Sequence, residues 1–305
     1  MAGSTSFKHW LWSVALLPAL GWAQSPVQQP PAQPAWVAYP RPATAELEDH
    51  RRISDTLGKL KPQRRGVVDA YVIAVALDAD PVFGREAREA GRVLARRFDA
   101  EGRTLVLAED EGAVRADAAG SPHHLALALA RAAEVMDLRE DVLVLYSTSH
   151  GERGSGLAYR DLKRGMGAVT PARLAQLLGP FRNRVVLLQA CYSGQFVPAL
   201  ASTTSVIATA ASATKPSFGC HPGNDWTFFG DALINRAFRA PAPLPEQLNA
   251  ARETVAGWEG RSKLDPSEPQ VSIGNEVGAW LAKLDARAPE AASAPVGRSP
   301  ADEGR

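Results

Sequence analysis

The stretch NRVVLLQACYSG, residues 183–194, decides how this chain folds. After Asn183 and Arg184 come four aliphatic residues without a polar break, and from Gln189 the side chains become small or polar. A short unbroken aliphatic run of this kind reads as a strand buried on both faces, which belongs in a parallel sheet covered by helices. The same grammar recurs in VVDAYVIAVALD (67–78), RTLVLAED (103–110), DVLVLYSTSH (141–150), TSVIATAAS (204–212) and the short PQVSI (269–273). Helical spacing fills the intervals: GREAREAGRVLARRF (84–98), SPHHLALALARAAEVMD (121–137) with Ser121 as N-cap and Pro122 in its first turn, TPARLAQLL (170–178), WTFFGDALINRAF (226–238) and PEQLNAARETVAGWEG (245–260). Alternation of this kind predicts an α/β three-layer sandwich around a six-stranded, mostly parallel sheet.

Outward from that core, the ends change character. The opening MAGSTSFKHWLWSVALLPALGWAQSP sets Lys8 and His9 before an apolar run, then Gly21, Trp22 and Ala23, the pattern of a cleavable export signal over residues 1–23. The apolar run is well short of the roughly 20 residues that span a bilayer, and no later run is long enough. Residues 24–65 read as a Pro-rich tether followed by a lead-in helix in ELEDHRRISDTLGKL, and residues 286–305 as a disordered tail. That leaves one domain over 66–285, in an exported protein that is periplasmic or secreted. With 34 Lys+Arg against 33 Asp+Glu in 305 residues, no basic footprint for nucleic acid exists.

In parallel α/β sheets the site lies beyond the carboxyl ends of the strands. Two strands end there in chemistry: DVLVLYSTSH in His150 and NRVVLLQAC in Cys191. If they are neighbours, a nucleophile and a proton carrier emerge at one edge. A thiol beside an imidazolium or a helix amino terminus is ionised at neutral pH, and YSGQFVPAL can start such a helix. His150 would protonate the leaving amine, and the N–H groups of Gly151 and Cys191 would hold an oxyanion. Other readings stand beside this one. Cys191 could be a buried, inert thiol, or could pair with Cys220, the second of two cysteines, as exported proteins often do. Both cysteines with His150 and His221 supply four zinc-type ligands, but without short Cys-x-x-Cys spacing. Ser193 lacks the Gly-x-Ser-x-Gly elbow of serine hydrolases, and His123 and His124 read as solvated first-turn residues.

These blocks resemble a known family. LYSTSHG (145–151) and LLQACYSG (187–194) are similar to the His-Gly and Ala-Cys-x-Ser-Gly signatures of legumain-type cysteine peptidases, family C13, relatives of the caspases and gingipains. ATAASATKPSFGCHPGNDWTFFGDAL (208–233) resembles the segment after that family's fifth strand, and SEPQVSIG (267–274) the last strand of its bacterial branch. The resemblance covers roughly Tyr71 to Leu284. It implies a caspase-like fold, a dyad of His150 and Cys191, no metal or organic cofactor, and peptide or protein substrates cut after Asn or Asp. It also implies a specificity pocket of Gln189, Ser217 and Asp225. The chain departs from the pattern at two places: the family has an acid where Gln189 stands, and its Arg-His pair has no clear counterpart in DADPVFGREAREA, where Arg85 is the nearest base and either lines the substrate pocket or is simply solvated. The expectation is therefore an exported cysteine endopeptidase. The alternatives are a transamidase or ligase using the same acyl-enzyme, and a silent peptide-binding module with a Cys191 to Cys220 bridge.

Overall fold

The computed structural model describes residues 1–3 and 36–302. The chain divides after Pro34 into two units, and both sheets and both cysteines belong to the second. The expected export signal lies outside the described residues, apart from its first three. Among the described residues, no helix is long and apolar enough to cross a membrane.

In chain order, the second unit opens with β1 (Trp36–Ala38), α1 (Ala43–Gly58), β2 (Ala70–Ala76), α2 (Pro81–Arg97), β3 (Thr104–Leu107), α3 (Pro122–Val135) and β4 (Val142–Thr148). Then follow β5 (Gly151–Glu152), β6 (Gly156–Asp161), β7 (Gly165–Val169), α4 (Pro171–Leu178), β8 (Asn183–Gln189), α5 (Val197–Leu200) and β9 (Ser205–Thr209). The last elements are α6 (Phe228–Gly230), which continues as π and 3-10 turns to Arg239, α7 (Leu244–Arg261), β10 (Gln270–Ile273) and α8 (Gly278–Asp285). Six strands form the main sheet in the order β10-β9-β8-β4-β2-β3, parallel except for β10. This is the mostly parallel, six-stranded, caspase-like sandwich that the apolar runs and the resemblance predict.

Alternate residues of each strand feed opposite faces, so the sheet has two cores. Val72, Val144, Val185 and Leu187 meet α2, α7 and α8 on one side. Ile73, Leu145, Val186 and Leu188 meet α3, α4 and Ile53 of α1 on the other. Ser121 and Thr170 cap α3 and α4 as expected, each side chain accepting an N–H one turn on.

Three findings differ from the sequence reading. A second, antiparallel sheet, β1-β7-β6-β5, grows from the loop after β4. Residues 36–38 of the expected tether supply its outer strand, because edge pairing to Gly165–Gly167 needs backbone and no large side chain. The described part of the expected disordered tail, residues 286–302, is ordered against the domain through main-chain groups: the Val296 carbonyl accepts from Trp226 Nε1 at 2.8 Å and from Asn235 Nδ2 at 2.9 Å, while Asn235 Oδ1 accepts the Val296 N–H at 2.8 Å.

Candidate active site

The strand order reverses around β2, whose neighbours β3 and β4 lie on either side, and the loops beyond this switch point converge. β4 and β8 are parallel partners with Thr148 opposite Gln189, and the Ser149 N–H continues the ladder to the Gln189 carbonyl at 3.0 Å. His150 and Cys191 each follow two residues after this matched pair, at the same edge. Their segments touch: a β-carbon at Gly151 would overlap the Cys191 carbonyl oxygen, so only glycine fits there. The adjacency left conditional in the sequence is therefore present.

Cys191 is half-buried and free, as is Cys220, so the alternative of a bridge between them is not formed. The Cys191 sulfur accepts the Ser217 N–H at 3.3 Å and lies 3.7 Å from Ser217 Oγ. The expected helix is short: Ser193–Phe196 is a single 3-10 turn, and α5 is one turn long, too short for an appreciable dipole. Tyr192, at φ 58°, makes the reversal after Cys191, and its N–H is held by the Lys215 carbonyl at 2.9 Å. Burial, then the neighbouring Cys191, pushes the Cys220 thiol pKa up.

The Ala158 N–H donates to the His150 carbonyl, which makes 150 and 158 the hydrogen-bonded pair and turns the Gly151 N–H away from β6. The Cys191 N–H has no acceptor among the described residues. Both amides are thus available to a developing oxyanion. Beside His150, a groove of about 640 Å³ is lined by Glu152, Ala158, Arg160, Met166 and Thr170, room for a substrate side chain.

The residues expected to line a specificity pocket are arranged as follows. Gln189 is 1% exposed, and its Oε1 has no partner among the described residues. Ser217 is buried against Cys191. Asp225 is half-exposed and does not cap the next helix, since Thr227 does that; its Oδ2 accepts the Arg298 N–H of the tail at 2.8 Å. Arg85 is not a solvated base. It pairs with Glu111 at 2.6 Å and donates to the Pro222 and Asn224 carbonyls at 2.7 Å each, clamping the loop that leads into Asp225.

Rival constellations do not assemble. Ser193 Oγ is buried and accepts the Ala211 N–H. His221 Nδ1 accepts from Gly223, and the cysteines do not converge with it on His150: the one metal-like group among the described residues is Asp78, Asp80 and His150. Arg160 bonds both of those carboxylates, so the cationic position is filled by the chain itself. His123 is exposed as expected, but His124 is buried; its Nδ1 lies 2.9 Å from the Ala119 carbonyl, and burial pushes its pKa down.

Two acids went unread in the sequence. Asp80 reaches His150, with Oδ2 3.2 Å from Nε2. Glu86 is wholly buried and takes the Tyr146 hydroxyl, Thr148 Oγ1 at 2.8 Å, and both the N–H and Oγ1 of Thr227, so it ties α2 to the end of β4 and to the segment after Asp225. A glutamate inside an apolar helical face, one residue after Arg85, was the available signal for it.

Residues 123–279, just over half of the chain, match the model of the Peptidase C13 family. No curated protein matches the chain.

Proposed function

The chain belongs to the Peptidase C13 family of cysteine-type peptidases, and from that premise we propose that it is an exported endopeptidase cutting peptide bonds after Asn or Asp. Cys191 attacks the scissile carbonyl as a thiolate, and the N–H groups of Gly151 and Cys191 receive the oxyanion. His150 gives a proton to the departing amine, leaving a thioester on Cys191. Water, deprotonated by His150, then releases the acid. Gln189, Ser217 and Asp225 hold the residue before the cut, with Arg85 bracing the loop behind Asp225. An Asn or Asp side chain calls for polar partners of this kind.

The observation that carries this reading is the β4–β8 register, which brings His150 and Cys191 to one edge with Gly151 between them. That both cysteines are free supports a nucleophile over a bridged, silent module. The export signal expected over residues 1–23 is the basis for assigning action outside the cytoplasm.

The test is a diverse peptide library incubated in reducing buffer with the wild type and with Cys191→Ala, read by mass spectrometry. Cuts after Asn or Asp by the wild type alone are expected. Cuts at other residues would overturn the pocket assignment, products joined to added amines would indicate a transferase, and equal cutting by both proteins would overturn the nucleophile.

A further inference from the structure

Asp80 stands at the N-cap of α2, where an aspartate ordinarily accepts the first free amides of its helix, yet its side chain makes no capping bond. The carboxylate is turned the other way, with Oδ2 3.2 Å from His150 Nε2 and 2.7 Å from the Arg160 guanidinium. A scaffold holds it there. Asp78, buried, accepts the Asp80 N–H at 2.9 Å and bonds Arg160 twice at 3.1 Å. The main chain of Arg160 in β6 is stitched to the same loop, from Ala79 N–H to the Arg160 carbonyl at 2.9 Å and from Arg160 N–H to the Leu77 carbonyl at 3.1 Å. β6 in turn pairs with β5, which starts at the residue after His150. The Phe83 ring stands edge-on to the imidazole at 5.0 Å, closing one side of it.

We propose that Asp80 is the positioning residue of His150, making the pair of Cys191 and His150 a triad. A carboxylate that is paired with a guanidinium only accepts, so the His150 Nε2 carries a proton and Nδ1 is the nitrogen that exchanges protons with the Cys191 thiol and the leaving amine. In the attack the thiol proton passes to Nδ1, the new C–S bond forms, and that same proton goes to the amine as the C–N bond breaks. Asp80 takes no proton at any step. The leaving-amine part rests on the peptidase reading, whereas the hold of Asp80 on His150 and Cys191 does not.

The charged groups around His150 are Asp78 and Asp80 from the loop after β2, Glu152 from β5, Arg160 from β6 and Cys191 after β8. Of these, Asp80 bonds the ring. The isosteric Asp80→Asn therefore probes its charge with the loop intact, and Asp80→Glu tests rescue by a displaced carboxylate.

Two readouts are taken on the wild type, Asp80→Asn, Asp80→Ala and Asp80→Glu, each checked for fold by its melting temperature: peptide cleavage, and the rate of Cys191 alkylation by iodoacetamide from pH 5 to 10. The expected result for Asp80→Asn is a kcat lower by roughly 10- to 1,000-fold with KM within about threefold. Alkylation is expected to slow by about tenfold near pH 6.5 and to match the wild type above pH 9, where the thiol ionises unaided. Asp80→Glu should recover part of both. Unchanged kcat and an unchanged alkylation profile in folded Asp80→Asn and Asp80→Ala would overturn the proposal. If the wild type cuts no peptide, the peptidase reading fails, and the alkylation profile still decides: a shift upholds the hold of Asp80 on the pair, and no shift removes it.

Discussion

At the residue scale, the site is built from close approaches that tolerate little change. Gly151→Ala puts a methyl group onto the Cys191 carbonyl, so the two strand ends must part. A displacement near 1 Å at reacting groups costs about 100-fold in rate, and overpacking costs about 1–3 kcal/mol; kcat/KM and thermal melts of this variant should show both. Gln189 carries the departure in the proposed specificity pocket. Gln189→Glu would set a like charge against a P1 carboxylate, so the Asp-to-Asn preference should fall by about tenfold, read as kcat/KM on paired peptides. Glu86→Ala leaves the Thr227 N–H and the Tyr146 hydroxyl without their acceptor inside the core. A loss of about 3 kcal/mol or more is expected in denaturant unfolding. His150 and Cys191 were legible because each ends an unmistakable buried strand. Asp80 and Glu86 were not, since their meaning depends on which strand end or hydroxyl they meet across the fold.

At the element scale, α1 is fastened by charge as well as by Ile53. Burial raises the pKa of Asp49, but hydrogen bonds from Arg164 and Arg41 outweigh it and hold the carboxyl at about 2 against an ordinary 3.8. A depressed folded-state value means that this contribution is complete above the unfolded pKa and is lost as the pH falls through about 2. Asp49→Asn should melt below the wild type at pH 6 yet lose less stability than it between pH 5 and 2. The strands β2, β4, β8 and β9 were readable because continuous aliphatic runs have few other uses. β5, β6 and β7 were not, since Gly151, Gly154, Gly156, Gly165 and Gly167 break any apolar period, and a half-exposed sheet of glycines is held by its backbone.

At the scale of the whole molecule, the same limit applies to the tail, whose small residues and prolines look disordered by composition. Its order comes from main-chain groups meeting Trp226, Asn235 and Asp225 and from the Ser299 hydroxyl on Asp231, which no composition reveals. Removing residues 296–305 should lower the melting temperature by about 3–6 °C, and an unchanged melt would show that these contacts carry no stability. The central claim is that Cys191, served by His150 across the β4–β8 edge, is the nucleophile. Its most direct test is rapid-quench intact-mass measurement during turnover of a peptide substrate, with the modified residue located by digestion. An acyl group on Cys191 in the wild type, absent in Cys191→Ala together with all cleavage, is the predicted result. Acyl transfer to another residue, or cleavage that survives Cys191→Ala, would contradict it.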